Sequence, residues 1–312
     1  MKKLIEVKEL KKCYGHYKAL KGISFDVREG EILCFLGPNG AGKSTTIHIL
    51  STILQYDGGG ILFEGKNVKK HARFVKRNLG IVPQDLAIYE DISAEQNVAF
   101  FAALYGLKGI QLQKSVDEAL QFVGLLDKKS EKPKTFSGGM KRRLNIACAI
   151  AHKPKVIIMD EPTVGIDPQS RNHILQSIQQ LQEQGSTIIY TTHYMEEVEE
   201  ISTRIIIMDH GEIVAEGTKE ELKKYIADEK RYFIECEQIT AGIEESFFKI
   251  EGMKEVIIKD EVIEVVVLKG VENLDKIITL LVNEGMKVKN IMSESASLET
   301  VFLQLTGRKL RD

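Results

Sequence analysis

The segment Gly37-Pro38-Asn39-Gly40-Ala41-Gly42-Lys43-Ser44-Thr45 constrains this chain more than any other. It fits the spacing G-x-x-x-x-G-K-[ST], and both of its flanks agree with that pattern. Glu31–Leu36 is a short apolar run suited to a buried strand, and Thr45–Leu50 begins a helix. A strand, a glycine-rich turn and a helix start make a βα unit, which points to an α/β fold. The glycines let successive backbone N–H groups point inward as a nest for phosphate oxygens. The helix that follows adds its own free N–H groups and the positive end of its dipole. Lys43 sets a cation against the outer phosphates, and the Ser44 hydroxyl can ligate Mg²⁺. A chance match in a glycine turn is the competing reading, and the strand–helix context argues against it.

A second apolar run, Val156–Met159, ends in Asp160-Glu161-Pro162. Carboxylates at the carboxyl end of a parallel strand face the crevice where α/β sheets bind ligands. There Asp160 can hold Mg²⁺ through water, and Glu161 can orient and polarise an attacking water. Alone the pair would read equally well as a solvated loop; beside a phosphate loop it reads as chemistry. Together the two elements specify a Mg-nucleotide hydrolase or kinase.

The segment Thr135–Leu144 narrows the choice. Ser137 before Gly138 and Gly139 is an N-cap with a second nest, opening a helix whose Met140, Leu144, Ala147 and Ala151 share one face. On its own this would be a capped structural helix with a basic first turn. His193 ends the strand-like stretch 186–192, and Gln84 ends another at 79–83. Each gains meaning only from its order along the chain.

With these motifs in place, residues 4–225 resemble the ATP-binding subunit of an ABC transporter. Gly37–Thr45 resembles the Walker A loop, Gln84 the Q-loop, Ser137-Gly138-Gly139 the signature, and Asp160-Glu161 Walker B with its catalytic glutamate. Gly165-Ile166-Asp167-Pro168 resembles the D-loop, His193 the switch histidine, and Tyr14 the aromatic that stacks on adenine. Two departures are Met140, where glutamine is common, and Phe136, where leucine is common. The Met form, followed by Lys141-Arg142-Arg143-Leu144, is similar to drug-resistance and type-2 exporters.

The resemblance implies ATP and Mg²⁺ as cofactors, with Ser44, Gln84 and Asp160 at the metal and Glu161 and His193 as catalytic residues. It implies a second ATPase subunit, identical or different, whose Ser137-Gly138-Gly139 completes the site, with Asp167 coupling the two halves. It also implies a separate transmembrane permease and a peripheral position on the cytoplasmic face of the membrane, without specifying the transported substrate. Three rival readings are an ABC ATPase of ribosomes or DNA, a non-hydrolysing regulatory partner and a P-loop kinase. The first lacks tandem nucleotide domains or a coiled-coil insertion here, the second sits poorly with intact Lys43, Glu161 and His193, and the third leaves the signature unexplained.

Composition supports this frame. Of 312 residues, 43 are Lys or Arg and 45 Asp or Glu, which argues against a nucleic-acid partner. No apolar stretch approaches the roughly 18 residues of a spanning helix. Met1-Lys2-Lys3-Leu4-Ile5-Glu6 meets charge too soon for a signal peptide. Cys13, Cys34, Cys148 and Cys236 show no paired or metal-ligand spacing and read as reduced thiols.

The expected fold is an α/β P-loop NTPase core with a mixed sheet, at residues 1–225. Strands are expected near 4–8, 23–27, 32–36, 61–63, 79–83, 156–159, 187–191, 204–208 and 212–215. Gly58-Gly59-Gly60 and Glu64-Gly65 are expected to punctuate a hairpin. Helical spacing at Val98, Phe101, Ala102 and Tyr105 marks an inserted helical subdomain at about 86–137, which in the family receives a short helix of the permease. Residues 226–312 are expected to form a small α+β accessory domain in the order β-α-β-β-α-β, a ferredoxin-like pattern, with a first helix near 241–249. Its closing segment, 297–307, resembles the accessory domain of type-2 exporter ATPases, where dimer contact and regulation are both open roles.

Overall fold

A computed structural model describes residues 2–224, 229–240, 242–268, 271–294 and 297–307. The chain packs as two compact units, Met1–Thr218 and Lys219–Arg308. The expected boundary at 225/226 falls in residues 225–228, outside the described residues.

The first unit holds two sheets. One is antiparallel, in the order β2 (Tyr17–Arg28), β1 (Lys3–Tyr14), β4 (Gly58–Phe63), β5 (Lys66–Asn67). The other runs β10 (Glu212–Gly217), β9 (Arg204–Asp209), β3 (Ile32–Leu36), β8 (Thr187–Thr192), β7 (Val156–Asp160), β6 (Leu79–Val82). All its pairs are parallel except β9–β10, a hairpin. Every residue of β3, β7 and β8 is buried, as expected for parallel strands covered on both faces. The two sheets meet in a single core, where Phe25 and Phe35 pack edge to face at 5.2 Å.

The topology places the site. β3, β8 and β7 are adjacent and parallel, so the segments that leave their carboxyl ends emerge side by side. Those segments begin at Gly37, His193 and Glu161. β3 also separates β8 from β9, which belongs to a later part of the chain, so the crevice lies where neighbouring connections diverge.

Helix α1 (Lys43–Leu50) follows the glycine loop, and α2 (Ala72–Arg77) leads into β6. Between β6 and the next core strand lie α3 (Ala94–Leu104), α4 (Gly109–Phe122) and two short 3₁₀ turns, which form the helical insertion. Ser93 opens α3 with a full capping box: its hydroxyl accepts from Gln96 N–H and the Gln96 side chain accepts from Ser93 N–H. Helix α5 (Gly138–Ile150) then returns to the core with every residue from Leu144 to Ile150 buried. α6 (Pro168–Glu183) and α7 (Met195–Ile201) complete this unit.

The glycine triplet corrects the sequence reading. Gly58-Gly59-Gly60 are the first residues of β4 itself, not a turn; only Glu64-Gly65 turn the chain. Opposite the triplet β1 bulges, with a register shift between Lys8 and Lys11 and Glu9 at φ 48°. Gly59 takes φ 84°, and a Cβ there would collide with the carbonyls of Lys8 and Glu9. Close backbone approach at a bulge is what selects glycine.

The second unit contains α8 (Lys219–Lys224), β11 (Glu229–Cys236), α9 (Ile243–Phe247), β12 (Met253–Lys259), β13 (Val262–Leu268), α10 (Leu274–Asn283), β14 (Val288–Glu294) and α11 (Leu298–Thr306). Its sheet runs β12-β13-β11-β14 with every pair antiparallel, the ferredoxin-like arrangement. α9 lies inside the expected span 241–249, of which residue 241 is outside the described residues. Ile234, Val265, Ile277 and Leu281 anchor its own core, and Ser297 caps α11 by accepting from Thr300 N–H at 3.1 Å.

Candidate active site

Residues 39–45 line a cleft of about 210 Å³ together with Tyr14, Tyr17, Ala19, Gln84 and Glu161. The loop is built by exclusion. A Cβ on Gly37 would strike the Met208 carbonyl, and one on Gly42 would lie 2.8 Å from Leu20 Cδ2 and 2.9 Å from Ala19 O. Gly40 and Gly42 take φ 81° and 106°, the left-handed region that side chains avoid. Gly42 caps α1 without any side-chain acceptor, so the first N–H groups of the helix are left for a ligand.

Lys43 is buried and folds back along its own loop, its Nζ donating to Gly37 O at 2.6 Å and Pro38 O at 3.2 Å. Burial pulls its pKa below the ordinary lysine value, and the carboxylates of Glu161 and Asp160 oppose that shift. A phosphate in the cleft would supply the counter-charge that the carbonyl dipoles replace only in part. Gly37 and Pro38 thus serve as the resting acceptors of Lys43.

Asp160 and Glu161 take different positions. Asp160 is buried at the end of β7 and accepts from Thr191 Oγ1 at 2.6 Å. The same Thr191 accepts from Glu161 N–H at 3.0 Å through its hydroxyl and at 3.1 Å through its carbonyl. Glu161 itself sits at φ 44°, a conformation costly for a non-glycine residue. Its Oε1 lies 3.3 Å from His193 Nδ1. The hydroxyl of Ser44 and the amide of Gln84, both lining the cleft, and the carboxylate of Asp160 offer the hard oxygen donors that Mg²⁺ prefers.

Ser137, Gly138 and Gly139 do not line this cleft. Ser137 caps α5, accepting from Met140 N–H at 3.3 Å. Gly139 is pressed against Ser170, where a Cβ would collide with Oγ and Cβ. Asp167 caps the neighbouring α6, accepting from Ser170 N–H at 2.9 Å, a hydrogen bond that holds its carboxyl below the usual range. Ser137, Gly139 and Asp167 therefore lie together, apart from the cleft that the glycine loop lines. Phe136 fills buried space, so this departure from leucine is a packing change.

Four residues escaped the sequence reading. Tyr17 lines the cleft and donates to Gly40 O at 3.1 Å, a second aromatic beside Tyr14. Thr191 donates to the Asp160 carboxylate and accepts from the Glu161 backbone N–H, and only its place before His193 hinted at it. Arg142, buried in the first turns of α5, donates to Pro83 O at 2.7 Å and Gln84 O at 2.5 Å. Lys141 pairs with Glu90 at 2.7 Å, so α5 grips both ends of the Gln84-to-Glu90 segment. The basic first turn of α5 is in part a clamp on the segment that carries Gln84.

A sequence profile described as "ABC transporter" matches residues 20–164. Along its whole length the chain is similar to the linearmycin resistance ATP-binding protein LnrL of Bacillus subtilis, with 42% identity over 99% of this chain and 100% of that one. The chain belongs to the ABC transporter family. A second relative of this ABC ATP-binding subunit is the daunorubicin resistance ATP-binding protein DrrA3 of Streptomyces coeruleorubidus, 33% identical over 97% of this chain and 96% of that one. Among solved structures, cbiO1 from Clostridium perfringens, part of the transporter complex cbiONQ, superposes with TM-score 0.66, 31% identity and coverage of 72% and 95%. The ATP-binding cassette MJ0796, dimeric and bound to ADP and Pi in a post-hydrolysis state, gives TM-score 0.62, 27% identity and coverage of 69% and 98%. The subunit is thus an ABC ATPase with an α/β P-loop core, homologous to drug-resistance ATP-binding proteins. ABC ATP-binding subunits work with transmembrane permeases and dimerise. Among the described residues of this one, no helix is long and apolar enough to cross a membrane.

Proposed function

We propose that this ATPase drives an exporter by closing and opening a pair of nucleotide-binding domains around ATP. The observation that carries the reading is the separation of its two anion nests. The cleft gathers Tyr14, the glycine loop, Lys43, Gln84 and Glu161, whereas Ser137-Gly138-Gly139 faces elsewhere. A second subunit, identical or different, supplies that nest in trans, and Asp167 beside it senses the other half. Residues 1–225 act as the nucleotide-binding domain and 226–312 as its accessory domain, at the cytoplasmic face of the membrane beside a separate permease.

In this arrangement Tyr14 stacks on the base and Lys43 leaves its carbonyls for the outer phosphates. Glu161 accepts a proton from the attacking water, and His193, 3.3 Å from Glu161, holds the γ-phosphate side of the site. Mg²⁺ held by Ser44 and Gln84, with Asp160 behind, would neutralise charge on the phosphates. Loss of the γ-phosphate removes a contact made only in the closed pair, so the pair reopens.

Similarity to LnrL and DrrA3 favours export of an antibiotic-like substrate. The test is phosphate release by purified protein with and without Ser137→Arg. The variant is expected to bind ATP as the wild type does and to lose turnover, because the blocked nest belongs to its partner's site. Full turnover by Ser137→Arg contradicts the paired site.

A further inference from the structure

Glu197 lies on α7, outside every motif described above, and only 1% of its surface is exposed. A buried carboxylate is costly unless it is hydrogen-bonded, and here three hydroxyls donate to it. Thr163 Oγ1 donates to Oε1 at 2.6 Å; Thr192 Oγ1 and Tyr190 OH donate to Oε2 at 2.7 and 2.9 Å. Arg171 Nε stands 3.7 Å from Oε1.

These partners sit on both sides of the catalytic pair. Thr163 belongs to the turn that begins with Glu161, the residue held at φ 44°. Thr192 precedes His193, and its hydroxyl also accepts from Tyr194 N–H at 3.0 Å, fixing the backbone on either side of the histidine. A second path ends at the same place. The Arg171 guanidinium lies 4.7 Å over the Tyr194 ring, and that ring packs against the His193 imidazole at 4.2 Å. A single carboxylate thus braces the turn carrying Glu161 and the turn carrying His193.

We infer that Glu197 is the positioning residue of the hydrolytic site, setting the separation of Glu161 and His193 without touching nucleotide. The inference rests on the hydrolase reading above, in which Glu161 and His193 carry the reaction. Satisfied buried networks hold a single geometry, and catalysis is sensitive to small misplacement of reacting groups. Glu197→Gln keeps the shape but turns one acceptor oxygen into a donor that meets donors already there. Thr192→Val removes one hydroxyl while preserving volume, and serves if the glutamine variant does not fold.

Steady-state phosphate release and the affinity for a fluorescent ATP analogue read out the two halves of the claim. Both variants are expected to bind the analogue within about threefold of wild type, while kcat falls by about tenfold or more for Glu197→Gln and several-fold for Thr192→Val. In the double variant the loss should stay within about twofold of Glu197→Gln alone, because both changes break one network. Wild-type kcat in both single variants, or multiplied losses in the double, overturns the inference and leaves the hydrolase reading standing. A wild-type protein that releases no phosphate overturns the hydrolase reading and this inference with it.

Discussion

Nδ1 of His193 stands 3.3 Å from Oε1 of Glu161, across the gap between two adjacent parallel strands. The two residues are 32 positions apart in sequence, and nothing local to either sets that distance. It arises because β7 and β8 pair in register from Val156 with Thr187 to Asp160 with Thr191, so each turn begins at the same height. Thr191 then ties them by bonding to Asp160 and to Glu161. The Glu161–His193 distance is therefore a property of sheet register, held by the strand pairing and by Thr191.

Arg142 and Lys141 should differ sharply although both are basic residues of one helical turn. Removing Arg142 takes both guanidinium donors from the part-buried carbonyls of Pro83 and Gln84, so Arg142→Met is expected to destabilise by about 1–3 kcal/mol. Lys141 pairs with Glu90 at the surface, and Lys141→Ala should cost less than about 1 kcal/mol. Chemical denaturation of both variants checks the contrast. Near-equal losses would mean that the Arg142 clamp is not a stabilising contact.

The glycine triplet offers a second contrast. Gly59→Ala forces a Cβ into the bulge carbonyls at a positive φ, and is expected to lower stability by roughly 2 kcal/mol or more. Gly60→Ala meets nothing within 4 Å and should change stability by less than about 0.5 kcal/mol. Thermal melting of the two single variants distinguishes them.

His152 carries a pH dependence. Its ring stacks on Tyr105 with centroids 3.5 Å apart, its Nε2 lies 3.0 Å from Leu79 O, and its Nδ1 is buried without a hydrogen-bond partner among the described residues. Burial pushes its pKa down to about 4 from 6.5. The folded protein therefore resists a proton that the unfolded chain takes up below 6.5. The contribution of His152 is intact above pH 6.5 and is lost as pH falls toward 4, by on the order of 2 kcal/mol. His152→Phe keeps the stack and removes the titration, so its denaturation midpoint should fall less than that of the wild type between pH 7 and pH 4.5. Parallel curves for the two proteins would refute this role.

Much of this architecture was legible in the residues because the decisive signals are local. Continuous apolar runs gave β3, β7 and β8, the glycine spacing gave the loop before α1, and Ser137 and Ser297 marked the starts of two helices. What escaped depends on distant partners. The triplet at 58–60 looks like a turn until the bulge at Glu9 is seen pressing on it. The long β1–β2 hairpin exceeds the apolar stretches 4–8 and 23–27, because its far half is largely polar, with Leu10, Ala19 and Leu20 buried among charged and exposed neighbours and strand pairing holding the rest. Arg142, Thr191 and Glu197 gave no signal of their own, since a basic, a hydroxyl and an acidic residue acquire roles only from the carbonyls, carboxylates and hydroxyls that the fold brings to them.

Water activation by Glu161, in a site that a second subunit completes, is the proposal that one variant tests most directly. Glu161→Gln preserves shape and the backbone contacts to Thr191 but removes the proton acceptor. Size-exclusion chromatography with light scattering, run with ATP and Mg²⁺ and followed by nucleotide analysis of the eluted peak, reads both halves of the claim at once. The expected result is a Glu161→Gln dimer retaining unhydrolysed ATP, under conditions where the wild type elutes as a monomer with ADP. A variant that hydrolyses ATP at the wild-type rate, or that binds ATP and stays monomeric, would contradict it.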